Sequence, residues 1–301
     1  MLGTVRTSRG WGPKSSVTNH EPLGHAVLVR ELTRVGLPRG GLLMVHSSLR
    51  SLGRVAGGAD TVVDALLDAL GPLGTLVVPT FTYPVANEPG FVFDPPHTPS
   101  YMGSISEAAR RHPKARRSTH LLHSVAAIGP LAETIATSGG ASAWDADSPM
   151  RQVLDRDGAF LLLGVPYQNL TAVHLCEVEF DVPYRKSRVV TAKMRNADGS
   201  IVPLVSAGHP RRSGHPGSDF NRLGQRMEDA GLVKPGTVGN AIARLFQAHD
   251  LRRSARELYA QHARGFLKQN GRVTRLSYGH TVETPKGEYC VADPARIYRT
   301  R

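Results

Sequence analysis

His174 and Glu177 stand three residues apart in the stretch His174-Leu175-Cys176-Glu177. On a helix that spacing puts both on one face. A glutamate so placed can hold one imidazole nitrogen, fix the tautomer and leave the other nitrogen to act as a base. By itself the pair is weak evidence, and an incidental polar pair on a surface helix is the better reading of it. Thr171 is the expected N-cap, which would place His174 in the first turn. Cys176 lies between the two, but adjacent residues on a helix point in different directions. It therefore reads as a packed core cysteine rather than a nucleophile.

Two further groupings could handle an anion. His46-Ser47-Ser48-Leu49 follows an apolar run, and Arg50 to Ala59 then passes through Gly53, Gly57 and Gly58 into a helical pattern. Hydroxyls at a strand end, a glycine-rich turn and a helix start make a natural anion cradle. The spacing is neither a Walker loop nor Gly-x-Gly-x-x-Gly, so an ordinary strand-to-helix connection stays open. The second grouping is a basic knot of Arg110, Arg111, Lys114, Arg116 and Arg117, just before Ser118-Thr119-His120-Leu121-Leu122-His123-Ser124. It reads either as a solvated charge run or as a phosphate clamp. His120 and His123 lack a third ligand at a convincing spacing, so no metal is expected.

The elements that would carry these residues alternate between strand and helix. Apolar spacing predicts a helix over 23–35, and a buried strand over 41–46. A clear amphipathic helix covers 59–70, with Val62, Val63, Leu66, Leu67 and Leu70 opposite Asp60, Asp64 and Asp68. A strand over 75–80 is followed by a long Pro- and Gly-rich loop, 83–101, of a length that is often functional. A helix over 104–111, a strand over 124–128, a helix from Pro130 to about 137 and a buried strand over 159–165 complete the run, and Thr171 then opens the helix of His174. Beyond Tyr184 a β-hairpin is expected over 187–205, turning at Asn196-Ala197-Asp198-Gly199. Helical patterns follow near 219–230, 238–248 and 254–264, and a β-rich tail closes the chain. The expected organisation is an arm over 1–19, one domain over 20–270 divided near 185/186, and a tail over 271–301. The predicted class is α/β: a three-layer α/β/α sandwich around a largely parallel sheet, with a smaller hairpin-plus-helices C-terminal part.

Composition narrows the function. The 301 residues carry 37 Lys and Arg against 25 Asp and Glu, a formal charge of +12. Such a chain attracts phosphates and repels cations at long range. Aromatic residues make up only 6%, too few for a base-stacking platform, and no nucleic-acid motif occurs. No apolar run of about 18 residues predicts a membrane span, and residues 1–19 lack the apolar core of a secretory signal. The two cysteines, Cys176 and Cys290, form no framework, so a cytoplasmic location is expected.

Taken together and in order, several segments resemble the aminoglycoside 3-N-acetyltransferase family. They are His46-Ser47-Ser48-Leu49, Ser51-Leu52-Gly53 with Gly57-Gly58, and the run Gly71 to Thr82. Met102-Gly103, the run His123 to Pro130, Asp157-Gly158 with Leu161 to Val165, Thr171 and His174-Leu175-Cys176-Glu177 complete the set. The likeness spans about 22–260. It implies acetyl-CoA as donor and direct transfer to the amine of an antibiotic or antibiotic precursor, in resistance or in biosynthesis. By position, His174 would be the general base and Glu177 its orienting partner. Ser47, Ser48 and Ser124 would lie along the CoA arm and Thr80 near the thioester. The Val125 backbone with Arg116 and Arg117 would hold the phosphates, and His46, Leu49, Ser51 and His123 would complete the CoA-binding set. The chain departs from the family at Met150, where an aromatic is common, and in its charge. A +12 protein suits a polycationic aminoglycoside only if Asp145, Asp147, Glu177, Glu179 and Asp181 make a local acidic pocket. A phosphate-, phosphonate- or nucleotide-bearing amine is the alternative acceptor, and a non-catalytic module for acidic partners the alternative of another class. A homodimer is left open.

Overall fold

The computed structural model describes residues 21–86, 88–137, 140–284 and 287–293. The arm expected over 1–19 and the tail beyond residue 293 lie outside the described residues. In chain order come α1 (His25–Val35), β1 (Leu42–Ser47), the single turn α2 (Leu49–Leu52), α3 (Gly58–Leu70) and β2 (Thr75–Pro79). The long loop then holds the two-residue strand β3 (Val92–Phe93) and leads to α4 (Ser104–Arg111), β4 (Arg116–Arg117), β5 (Val125–Ile128), α5 (Ala132–Thr137), α6 (Pro149–Asp155), β6 (Ala159–Leu163) and α7 (Val173–Glu179). The remainder comprises β7 (Arg188–Arg195), β8 (Ile201–Gly208), α8 (Phe220–Asp229), β9 (Gly236–Val238), β10 (Ala241–Gln247), α9 (Ala248–Gln261), β11 (His280–Thr284) and β12 (Gly287–Val291).

Strands β11-β12-β10-β6-β1-β2-β5-β4 form one sheet in that order, with β9 also on β10. The expectation of a largely parallel sheet is corrected. Parallel pairing joins β1 to β2 and to β6. The pairs β2–β5, β5–β4, β6–β10, β10–β12 and β11–β12 are antiparallel. The fold is therefore mixed α/β around a large mixed sheet. The central strands read as unbroken apolar runs because both faces are covered. Leu43, Val45, Leu161 and Leu163 pack with α1, α3 and α4, while Met44, Phe160 and Leu162 pack into a second core with α6, α7, α8 and α9.

The helix expected over 238–248 is a second correction, because Ala241–Gln247 is strand β10. It lies against β6, with Arg244 opposite Leu162. Helix α6 had no counterpart in the sequence reading. Its signal is Ser148-Pro149: the Ser148 hydroxyl accepts from Arg151 N and Pro149 occupies the first turn, where its missing N–H costs nothing. Met150 points into the core from this helix, with only 4% of its surface exposed. The hairpin β7–β8 turns at the expected site, with Gly199 at φ 83°. It pairs through β7 with β3 as a separate three-stranded sheet.

Candidate active site

The parallel strands β6, β1 and β2 run in one direction, so Leu163, Ser47 and Thr80 come out at one end of the sheet. Ser124 joins them from β5, its carbonyl accepting from Thr80 N at 2.8 Å. The chain leaves β6 through Gly164 at φ 73°, where a Cβ would fall 1.6 Å from Ser51 Oγ. Only glycine allows β6 to close against α2 and turn toward α7.

Helix α7 is short and buried nearly all round, with Val173, Leu175, Cys176 and Glu177 inside. The expected cap is corrected: Ala172 occupies the N-cap without a side-chain bond, and Thr171 contributes its carbonyl to His174 N at 3.0 Å. Burial pushes the Cys176 thiol up to about 12, which leaves it a thiol inside the core. His174 and Glu177 do share a face. Nδ1 of His174 lies 2.6 Å from Oε2 of Glu177, whose side chain is fully buried, while 24% of the imidazole is exposed. Burial pushes the Glu177 carboxyl up. Hydrogen bonding to and charge on His174, with the Arg185 guanidinium, outweigh it and hold the carboxyl below its ordinary value. An ionised carboxylate only accepts, so Nδ1 is the donor of that bond; in the neutral ring this tautomer leaves the lone pair on Nε2.

A run of rings connects His174 to the sheet end. Trp144 packs edge-on to His174 with centroids 5.7 Å apart, and to His123 at 4.9 Å. Phe81 and Tyr83 close on the other side of His123, with the Tyr83 hydroxyl bonded to its Nε2. Phe220 closes on His174 from α8 at 5.0 Å. Burial lowers His46 to about 4. It also lowers His120 to about 4, against partial compensation from the carbonyls of Ala141 and Ala207. His123 is pushed well down by burial and then by the charges of His120, His174 and His209. These are neutral imidazoles at neutral pH.

The structure thus gathers His174, Glu177, His123, Thr80 and Ser124 around one end of the sheet. Ser47 Oγ and both ring nitrogens of His46 are buried there without hydrogen-bond partners among the described residues. Buried polar atoms without partners are uncommon, and a polar arm laid over the strand ends would satisfy them. Ser51 is committed to Ser48 O at 2.6 Å, Ser48 and Leu49 are partly exposed, and Val125 is buried in β5. Arg116 is exposed at the far edge on Glu133, 3.1 Å away. Arg117 turns inward. Its Nε donates to the Thr80 and Ser124 hydroxyls at 3.1 and 3.2 Å, Nη1 to the carbonyls of Pro95 and Thr98, and Nη2 to Thr80 O at 2.6 Å. Desolvation, then the charge of Arg110, lowers it to about 9.

Arg117 therefore staples the 83–101 loop to the strands under the site. Arg117→Met leaves the Pro95 and Thr98 carbonyls without a donor, while Thr80 O keeps the Ser124 hydroxyl at 2.8 Å; it is expected to cost about 3 kcal/mol, a fall in Tm of about 5 °C for a chain of this size. Thermal unfolding with limited proteolysis of the loop checks this. An unchanged Tm together with a salt-dependent rise in the CoA KM would instead return Arg117 to the phosphate clamp. Trp144, Arg185, His209 and Phe220 were absent from the sequence reading, because each reaches the site from a distant segment with no spacing to mark it. Among the described residues, no cluster of three or more His, Cys, Asp or Glu is arranged to hold a metal, and no helix is long and apolar enough to cross a membrane.

The comparisons with known proteins agree on one group. A family model described as aminoglycoside 3-N-acetyltransferase matches residues 44–260. Aminoglycoside N(3)-acetyltransferase IV of Salmonella sp is 35% identical over 230 residues, covering 75% of this chain and 83% of the relative. Aminoglycoside N(3)-acetyltransferase VII of Streptomyces paromomycinus is 32% identical over 270 residues, covering 76% and 89%. The crystal structure of a histidine-to-alanine mutant of aminoglycoside acetyltransferase AAC(3)-IVa in complex with a gentamicin superposes with a TM-score of 0.69 at 31% identity, covering 84% of this chain and 94% of that one.

Proposed function

The chain belongs to the aminoglycoside 3-N-acetyltransferase family and is an N-acetyltransferase, and from that premise we propose that it moves acetyl from acetyl-CoA directly to an amine, with His174 as general base. One observation carries the reading: a fully buried, ionised Glu177 fixes Nδ1 of a partly exposed His174 at 2.6 Å, leaving Nε2 free. Acetyl-CoA supplies the activated acyl group as a thioester. His174 Nε2 takes the proton that the acceptor nitrogen must lose as its N–C bond forms. Glu177 stabilises the resulting imidazolium, which returns the proton to sulfur as the C–S bond breaks. The unpartnered His46 and Ser47, with Ser48, Thr80 and Ser124, support a CoA arm crossing the ends of β1, β2 and β5. Arg111 and Arg116, whose side chains are exposed beside Asp60 and Glu133, are the arginines of the knot free to meet the CoA phosphates. We take the two covered faces of the sheet as the outer layers of an α/β/α sandwich.

The acceptor proposed first is an aminoglycoside amine, in keeping with the relatives' names. An anionic amine is kept as a second reading on a specific observation. Two of the five carboxylates expected to form an acidic pocket are already consumed, Glu177 by His174 and Arg185, and Glu179 by Arg151 and Arg252. Thiol release from acetyl-CoA, measured across cationic aminoglycosides and phosphorylated amines, decides between them. Turnover with aminoglycosides is expected. Turnover confined to anionic amines selects the second reading, and CoA binding without turnover on either panel selects a binding module.

A further inference from the structure

Glu177 receives a second donor. Arg185 Nε lies 2.5 Å from the same Oε2 that His174 Nδ1 reaches. Arg185 lies beyond α7 in the Val182-Pro183-Tyr184-Arg185 turn, and only 9% of its side chain is exposed. Its other nitrogens are also engaged. Nη1 donates to His209 O at 2.9 Å, just past β8, and Nη2 to Ser218 Oγ at 3.2 Å, just before α8. One planar fork therefore ties the carboxylate to two segments outside the catalytic helix.

We propose that Arg185 is a positioning residue for the acetyl transfer, locking the Glu177 carboxylate against His174 and keeping it ionised while the imidazole is still neutral. The proposal rests on the reading of His174 as base. A buried carboxylate facing only a neutral imidazole has no compensating charge, and burying it uncompensated costs several kcal/mol. It would then take a proton or swing away, and Nδ1 would lose the acceptor that fixes its hydrogen. Arg185 supplies a permanent cation at that atom. Its fork also fixes the carboxylate's rotation, because the two far nitrogens are themselves held. Each of its three nitrogens is already bonded within the protein and only 9% of its side chain is exposed, so the effect belongs in kcat rather than in KM.

The test is steady-state kinetics with Arg185→Gln, Arg185→Lys and, in parallel, His174→Gln. Arg185→Gln is expected to lower kcat about 10- to 100-fold, with both KM values within about twofold of wild type. Arg185→Lys keeps the charge but cannot span Glu177, His209 and Ser218 together, and is expected between Arg185→Gln and wild type. A rise in KM with kcat preserved overturns the proposal and makes Arg185 a substrate contact. Wild-type kcat in Arg185→Gln while His174→Gln is inactive overturns the proposal alone; a fully active His174→Gln overturns the base reading beneath it. Where Arg185→Gln fails to fold, the folded Arg185→Lys decides: reduced kcat with unchanged KM supports the proposal, and wild-type kcat overturns it.

Discussion

His174→Gln lowers kcat by about 10²–10⁴-fold, the range ascribed to a positioned general base, and leaves the affinity for CoA within about twofold of wild type. Glutamine preserves most of the volume between Trp144 and Phe220, whose rings approach the imidazole at 5.7 and 5.0 Å. It can still donate to Glu177. It cannot accept a proton from an incoming amine and hand it to sulfur. The CoA arm is proposed to lie over His46, Ser47, Thr80 and Ser124, away from this side chain, so donor binding should survive. Thiol-release kinetics with calorimetric titration of CoA separates the two quantities. A kcat near wild type sinks the base assignment, whereas a joint loss of kcat and CoA affinity points to a collapsed site.

The second large effect is acid lability. His46 and His120 are held near 4 by burial, against about 6.5 in an unfolded chain. Their folded values are depressed, so the unfolded chain takes up protons below about 6.5 that the folded chain refuses until about 4. Stability from this source is fully present above pH 6.5 and drains away as pH falls through that window. At pH 5 the loss is about 2 kcal/mol for each histidine, about 4 kcal/mol for the pair, and His123 acts in the same direction. Glu107 and Glu177 are lowered from 4.5, so their stabilisation fades only below that value, after the histidines have acted. Denaturant titrations at pH 7.5 and 5 check this. A midpoint that does not move refutes it, and His46→Leu is expected to remove its own share, about 2 kcal/mol of the loss at pH 5.

Much of the fold could be read from the chain wherever a polar face marked the period. Helix α3 was legible from Asp60, Asp64 and Asp68 opposite its leucines and valines, and the β7–β8 turn from Asp198-Gly199. Strand β10 fell inside the helical pattern expected over 238–248. Arg244 stands as a charge within its apolar residues, yet its side chain is fully buried on Glu228 at 2.6 Å. A charge that is buried because it is paired carries no mark of that in sequence. Parallel and antiparallel neighbours also look alike when both faces are covered. At the site, the His174–Glu177 pair was visible because helical geometry links residues three apart. Arg185 and Trp144 were not, since the fold alone brings them to the pair. Arg117 was visible as charge but not as a staple, because only coordinates reveal which carbonyls it faces.

The place of β10 and β12 in the sheet has a consequence for how the protein is made. Strand β6 delivers the chain to α7, yet one of its two edges is covered only by β10, and the carbonyl of Gly164 accepts from Cys290 N at 2.8 Å. On the ribosome, the chain through β8 emerges with that edge bare, long before the strand that seals it. An uncovered strand edge is a template for pairing with other chains. Nascent or truncated chains that end before β10 thus carry His174, Glu177 and a sticky edge together, and that edge is sealed only when β10 and then Cys290 arrive.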